Sequence, residues 1–360
     1  MPTESNYIVS CDGGNGGVNA VLAKANGGYK SHYEPSVRAV ATGQTLGIAG
    51  ELEYEYVDWY SNRYVTGDDV IRVTRRGLER HMGANRYGEE FHRFLVAVAC
   101  AKLGIKEGTV NISLFAPPGL FNDVKQEIVT GFSDSVTIKL KGDKKPRTWI
   151  YDTINVYPEG VGAAACFMLD DSGKPQENDA FDGEVVILDA GAYTLDALKM
   201  TNGSFNPETL GEATWQNAGV HTHIREPLLR KIHEKGSDFT VVTVDDVDQV
   251  IRRGLSGGDY KLKIAGHEFN LEPLCKVLFE RYADWVSNNI CDGIFGGFNG
   301  IKSVILVGGG AVMIEKKLQH LYPGKILDRS KYATTKKLHP ADMNAVGGLR
   351  ITLSKQGQFA

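Results

Sequence analysis

The sequence predicts an α/β protein of two domains, and three observations lead there. The chain has 360 residues, more than the roughly 250 to 300 at which a single core stops growing. Short apolar runs alternate along it with segments of helical periodicity, the pattern of sheets covered by helices. Two of the runs, at residues 7–11 and 184–188, are each followed by an Asp, a glycine-bearing turn and a second strand, so one local device occurs once in each half.

The elements follow in chain order. The first run ends at Asp12 and turns through glycines into a second strand over 18–22, a hairpin. A helix is expected over 89–103, a strand over 110–115, a Pro-Pro-Gly break and a helix over 121–129. The polar run Gly-Asp-Lys-Lys-Pro-Arg at 142–147 is a hairpin tip between strands at 136–140 and 148–156. Beyond Pro158 the pattern restarts with a helix over 160–169, a polar loop over 170–182 and the strand 184–188. Further helices are expected over 220–233, 244–253 and 271–290. A strand over 303–307 then runs into Gly308, Gly309 and Gly310, and a helix follows over 313–321. No repeat of 20 to 50 residues is visible, which removes solenoids and propellers. The domains expected are residues 1–157 with 340–360, and 158–339.

Composition narrows the function. Hydrophobic residues make up 42% and charged residues 23% of the chain, which is ordinary for a globular protein. Forty Lys and Arg against 44 Asp and Glu leave a formal charge of -4, too acidic for affinity drawn from phosphates along a duplex. Direct DNA binding is therefore not expected, and the Arg72, Arg75, Arg76 and Arg80 cluster reads as a solvated face. The five cysteines, Cys11, Cys100, Cys166, Cys275 and Cys291, contain no CxxC pair, so neither a disulfide framework nor a zinc site is suggested, in keeping with a reducing cytoplasm. Residues 1–6 lack the features of a signal peptide, no 18 apolar residues run together, and neither terminal segment has an apolar face for a membrane.

The chemistry sits in the turns. The first reads Asp12-Gly13-Gly14-Asn15-Gly16-Gly17-Val18-Asn19 and the second Asp189-Ala190-Gly191-Ala192-Tyr193-Thr194-Leu195-Asp196. Glycine lets the backbone approach a ligand closely and aim several N–H groups at one anion. Two such cradles would grip a polyphosphate, with both carboxylates near a hydrated Mg²⁺, which favours few carboxylates plus water and phosphate oxygens. Either turn alone is as readily a plain hairpin. The glycines after Val307 lack GxGxxG spacing, and no GxxxxGK[ST] occurs, so Rossmann and P-loop sites are both disfavoured. His221, His223 and His233 do not share a helix face, against a zinc site. The aromatic residues Tyr54, Tyr56, Trp59, Tyr60 and Tyr64 read as core or loop packing, with a subunit interface as the alternative.

The order DGGNGGVN, YPEGVGAA, LDAGAYTLD, ILVGGGAVM and NAVGGL, spanning nearly the whole chain, resembles the five-part signature of the actin-like ATPase superfamily. Within it the chain is most similar to ParM-type plasmid-segregation proteins and small archaeal actin relatives. The resemblance implies a two-lobed actin/ribonuclease-H-like fold with ATP or ADP and Mg²⁺ in the interdomain cleft, GTP being the alternative nucleotide. It implies that Asp12 and Asp189 hold the Mg²⁺ hydration shell. Gly13, Gly14 and Asn15, with Gly16 and Asn19 beside them, would meet the β- and γ-phosphates, and Gly191, Ala192, Tyr193 and Thr194 the other side. Gly308, Gly309 and Gly310 would admit the adenosine, while Glu159 would position the attacking water from the first interdomain helix, the other reading being an acid at a helix start. Asp196 reads equally well as a carboxylate bonding its own loop. Asn19 departs from the lysine common in relatives, and Ala192 and Tyr193 from smaller or polar residues.

Fold does not decide function within this superfamily. The first expectation is a filament of subunits joined head to tail, a contact that does not close into a ring, with an adaptor protein linking it to DNA or other cargo. The alternative is a small-metabolite kinase of the same fold. A chaperone would need a peptide-binding module after the ATPase, for which seven residues beyond Leu353 leave no room.

Overall fold

The computed structural model describes residues 6–25, 27–41, 46–47, 50–51, 53–73, 77–81, 83–209, 214–264 and 266–357. The chain forms two compact units: Met1–Asn178, Asn206–Ala213 and Arg329–Ala360 make the first, and Asp179–Phe205 with Thr214–Asp328 the second. Each has its own sheet.

In the first unit the centre of the sheet is parallel. Strand Tyr7–Gly13 pairs with Glu107–Ala116, which pairs with Arg147–Pro158, all in the same direction. Residues 110–116 of the middle strand are buried without alternation, as expected of a parallel strand covered on both faces. Antiparallel strands extend the sheet on either side: Gly17–Ala23 and Tyr29–Pro35 beyond Tyr7–Gly13, and Val136–Leu140 with Tyr56–Trp59 and Asn62–Thr66 beyond Arg147–Pro158. Helix Glu90–Leu103 packs on it with Phe91, Phe94, Leu95 and Val98 buried.

The helix Val161–Met168 belongs to this unit as well, although the sequence reading began the second domain at residue 158. The reason is its crossing with helix Met343–Gly357. A β-carbon on Gly162 would lie 2.2 Å from Asn344 O, and one on Gly347 would fall on Gly162 O. Only two glycines allow backbones this close, and the crossing ties residues 161–168 to the C-terminal helix. Arg350 of that helix reinforces it, donating to Cys166 O at 2.7 Å and Leu169 O at 3.0 Å.

The second unit has a four-stranded sheet in the order Thr214–Gln216, Thr194–Thr201, Glu184–Ala190, Ser303–Val307, the last two parallel. Its core gathers Val186, Leu188, Leu228, Val247, Tyr282, Val304 and Leu318 from the sheet and from helices Glu226–His233, Val244–Leu255, Glu272–Val286 and Ala311–Leu321. Two expected helices are interrupted rather than uniform. Residues 221–225 and 287–292 form π-helical turns, each adjoining an α-helix.

The hairpin Tyr56–Trp59 and Asn62–Thr66 absorbs the aromatic group: Trp59 and Tyr64 are buried against Phe94, while Tyr60, at the turn, is 66% exposed. Of the basic cluster, Arg75, Arg76 and the side chain of Arg72 lie outside the described residues, and Arg80 reaches Ser36 O. Among the described residues no helix is long and apolar enough to cross a membrane.

Candidate functional site

In the first unit, Asp12 is the penultimate residue of strand Tyr7–Gly13 and stands opposite Asn19 in the hairpin. The turn over 14–16 is held from behind. Ser36 N–H and the Tyr33 hydroxyl both donate to Gly16 O, at 3.1 and 2.9 Å. Arg86 donates to Gly13 O and, at 3.1 Å, to Gly14 O, with a further bond to the Tyr87 hydroxyl. His92 comes from helix Glu90–Leu103 and is buried. Its Nδ1 accepts the Gly88 N–H at 3.2 Å, so the ring proton belongs on Nε2. Burial, and secondarily the charge of Arg86, push its pKa down to about 3, so the ring is neutral.

Asn344 of helix Met343–Gly357 donates from Nδ2 to Asp12 Oδ2 at 3.2 Å, and its Oδ1 accepts the Gly160 N–H at 2.9 Å. One amide thus ties the carboxylate to the turn that enters helix Val161–Met168. Burial raises the Asp12 pKa to about 6; the Asn344 hydrogen bond and Arg86 oppose the rise, and Asp342 adds to it.

Glu159 was expected on a helix, but it lies in the turn before one, its N–H bonded to Ala116 O at 2.8 Å. The helix starts later because Gly160 takes φ of 95°, a left-handed conformation that an α-helix does not contain.

In the second unit, Asp189 is penultimate in strand Glu184–Ala190 and 7% exposed. The Gly191 N–H bonds Thr194 O at 3.0 Å, closing the turn. Behind it, Val220 N–H donates to Gly191 O and His221 N–H to Ala192 O, at 3.1 and 2.7 Å. The Tyr193 ring lies 4.5 Å from that of His221. Thr194 Oγ1 donates to Asp196 Oδ2 at 2.7 Å and Thr214 Oγ1 to Asp196 Oδ1 at 2.5 Å. Asp196 thus accepts from its own turn and from the neighbouring strand Thr214–Gln216, joining the two.

The three glycines after Val307 serve different ends. Gly308 has φ of 83°, and a β-carbon there would lie 2.2 Å from Asp189 Oδ1, so its bareness makes room for that carboxylate. Gly310 is pressed against Ala190 and Val220, and its N–H bonds Ala190 O at 2.8 Å. Gly309 faces open space. The histidines are dispersed: His223 stacks on Tyr282, and His233 Nε2 meets Val242 O at 3.0 Å.

Within the first unit Asp12, Gly13, Gly14, Asn15, Gly16 and Asn19 therefore share one hairpin, and within the second Asp189 joins Gly191, Ala192, Tyr193, Thr194 and the Gly308–Gly310 turn. Sequence reasoning missed Arg86 and His92. The available signal was a histidine at a buried position between Phe91 and Phe94 in an otherwise apolar helix face. The first hairpin fits a polyphosphate carried with a divalent cation. Asn15 Oδ1 is buried without a hydrogen-bond partner, an acceptor that the hydration water of a divalent cation, rather than a phosphate oxygen, would satisfy. Arg86 adds a buried positive charge behind the same turn.

This fold and these paired Asp-Gly hairpins define an actin-like protein, and the chain belongs to the actin-like ATPase superfamily. Residues 10–162 match the N-terminal domain family of actin-like proteins, and residues 187–320 match the C-terminal family of archaeal MreB-like actin homologues. Comparison with curated proteins gives no match. Among solved structures, the chain is similar to the archaeal actin homologue Ta0583 in complex with ADP, at 19% identity and TM-score 0.71, covering 98% of this chain and 100% of that one. A 15-stranded ParM filament from Clostridium botulinum gives 18% identity and TM-score 0.71, over 98% and 100% of the two chains. Bacillus thuringiensis ParM with ATP gives 17% identity and TM-score 0.69, over 99% and 100%.

Proposed function

We propose that this chain is a Mg²⁺-dependent ATPase that assembles head to tail into filaments in the cytoplasm, for segregation of DNA or a related cytoskeletal task through an adaptor protein. The observation that carries the reading is the repetition of one device: Asp12 and Asp189 each stand one residue before a strand end, each followed by a turn whose carbonyls are bonded from behind. Adenine nucleotides on two structural relatives and a filament formed by another support it.

In this reading Asp12 and Asp189 hold the hydration shell of Mg²⁺, and the turns at 13–16 and 191–194 bind the phosphates. Gly309, with open space about it, is the glycine suited to the adenosine. Glu159 orients a water for attack, work that phosphoryl transfer asks mainly of positioning and charge. The metal would neutralise charge on the phosphates.

Sedimentation and electron microscopy of the purified chain with and without ATP and Mg²⁺ test the proposal. Pelletable filaments above a critical concentration are expected only with nucleotide. Flat sedimentation at high protein concentration, together with phosphorylation of a small hydroxylated metabolite, would select the kinase instead.

A further inference from the structure

Three arginines are buried among the described residues: Arg38, Arg86 and Arg350. Two of them are neutralised at contact. Arg38 meets Glu79 at 2.7 Å and Glu90 at 2.6 Å, and Arg350 meets Asp171 at 2.5 Å. Arg86, 3% exposed, is different: its partners are Gly13 O, Gly14 O and the Tyr87 hydroxyl, with the Tyr87 ring 4.6 Å below the guanidinium. Its Nε is buried with no hydrogen-bond partner. Asp12 feels its charge without touching it. A buried cation lacking an anion at contact is costly, and among the described residues Asp12 is the carboxylate that feels Arg86, at a distance, so the site is suited to a further anion.

The geometry of the bonds says where that anion belongs. In a trans peptide the C=O and the following N–H point to opposite sides, and no peptide bond among the described residues is cis. Drawing Gly13 O and Gly14 O towards Arg86 therefore turns the Gly14 and Asn15 N–H groups the other way. Two successive N–H groups aimed together form an anion-binding concavity, and neither makes a backbone hydrogen bond among the described residues. The hairpin 12–19 contains no lysine or arginine, and its only charged side chain is the carboxylate of Asp12.

We propose that Arg86 is the positioning residue and the source of positive charge for the first phosphate turn, acting through the Gly13 and Gly14 peptides on the phosphate groups of the nucleotide. The inference rests on the nucleotide reading above and adds to it the residue that makes a hairpin bearing only an acid attractive to a polyanion. The guanidinium does this from beneath the turn, without needing to touch the phosphates.

The test compares ADP, ATP and adenosine binding by the full chain with that of Arg86→Lys and Arg86→Met, alongside melting temperature without ligand. Loss of charge in Arg86→Met should weaken ADP and ATP binding on the order of 10- to 100-fold and leave adenosine binding unchanged. Arg86→Lys, which keeps the charge, should lose only several-fold. Parent-like ADP affinity in Arg86→Met overturns the role of Arg86 while leaving the nucleotide reading standing. Equal losses in both variants overturn the charge role, and so does an equal loss of adenosine. If Arg86→Met does not fold, Arg86→Lys decides, since a loss beyond about tenfold there contradicts a role based on charge. A parent chain that binds neither ADP nor ATP defeats the nucleotide reading itself.

Discussion

Gly13 sits so close over His92 that a β-carbon at position 13 would lie 2.8 Å from His92 Nε2. The glycine opening the first turn is thus fixed by a side chain beneath it. Gly13→Ala should destabilise the chain by about 1–3 kcal/mol, the usual cost of overpacking. In a double-mutant cycle with His92→Ala the penalty should shrink by at least about 1 kcal/mol, because the obstruction has gone. Urea unfolding of the four proteins measures this, and strict additivity would mean that the turn yields elsewhere.

His92 also predicts an acid response. Its folded pKa of about 3 lies below the ordinary 6.5, so the neutral ring is the folded form. Its contribution to stability is complete above pH 6.5 and is lost as pH falls from there towards 3. Asp12, raised to about 6 from 3.8, acts oppositely and gains stability over the range from about 6 to 3.8. The two offset each other in that range, and below it only the His92 loss continues. His92→Gln should therefore lose less stability than the parent between pH 7 and 4, read from urea midpoints. Parallel pH profiles would contradict the assignment.

The Asn344 amide restrains Asp12 and opposes its protonation. Asp12→Ala and Asp189→Ala should each abolish Mg²⁺-dependent nucleotide binding with the fold retained, as read by calorimetry and circular dichroism. Asn344→Ala should bind about tenfold more weakly, the scale of one lost positioning hydrogen bond to a charged group. Near-normal ATP affinity in both aspartate variants would defeat the proposal that the two carboxylates serve one nucleotide.

Glu159 should separate assembly from disassembly. On the function proposed above, assembly would need nucleotide binding, whereas disassembly would need hydrolysis. Glu159→Ala should lower phosphate release on the order of 10²- to 10⁴-fold and, after a limited ATP pulse, hold light scattering on a long plateau where the parent rises and falls. Phosphate release at the parent's rate would leave Glu159 as a turn residue only.

The elements carried by strong periodicity were legible in sequence. The strand over 303–307 and the helix over 90–103 stand within a residue of expectation, as did the two Asp-Gly hairpins, because glycine and aspartate mark strand ends by local chemistry. What was not legible depends on contacts distant in sequence. Nothing near Arg86 reveals that its guanidinium lies under Gly13 and Gly14, and nothing near Gly162 reveals Gly347. The π-helical turns at 221–225 and 287–292 carry the same apolar spacing as the α-helices they adjoin, so periodicity could not distinguish them. Strands 29–35 and 38–40 were missed because they alternate weakly or are only three residues long.

The glycine-to-glycine crossing of helices Val161–Met168 and Met343–Gly357 imposes an order on biosynthesis. The first unit begins with strand Tyr7–Gly13, against which the helix Met343–Gly357 packs, so this unit lacks a face of its core until the ribosome has made residue 357. The second unit lies wholly within residues 179–328 and has all its strands and helices available earlier. Nascent chains should therefore acquire a protease-resistant second unit first, while the strands made earliest wait longest for their final partner, exposed meanwhile to the chaperones that attend unfinished domains.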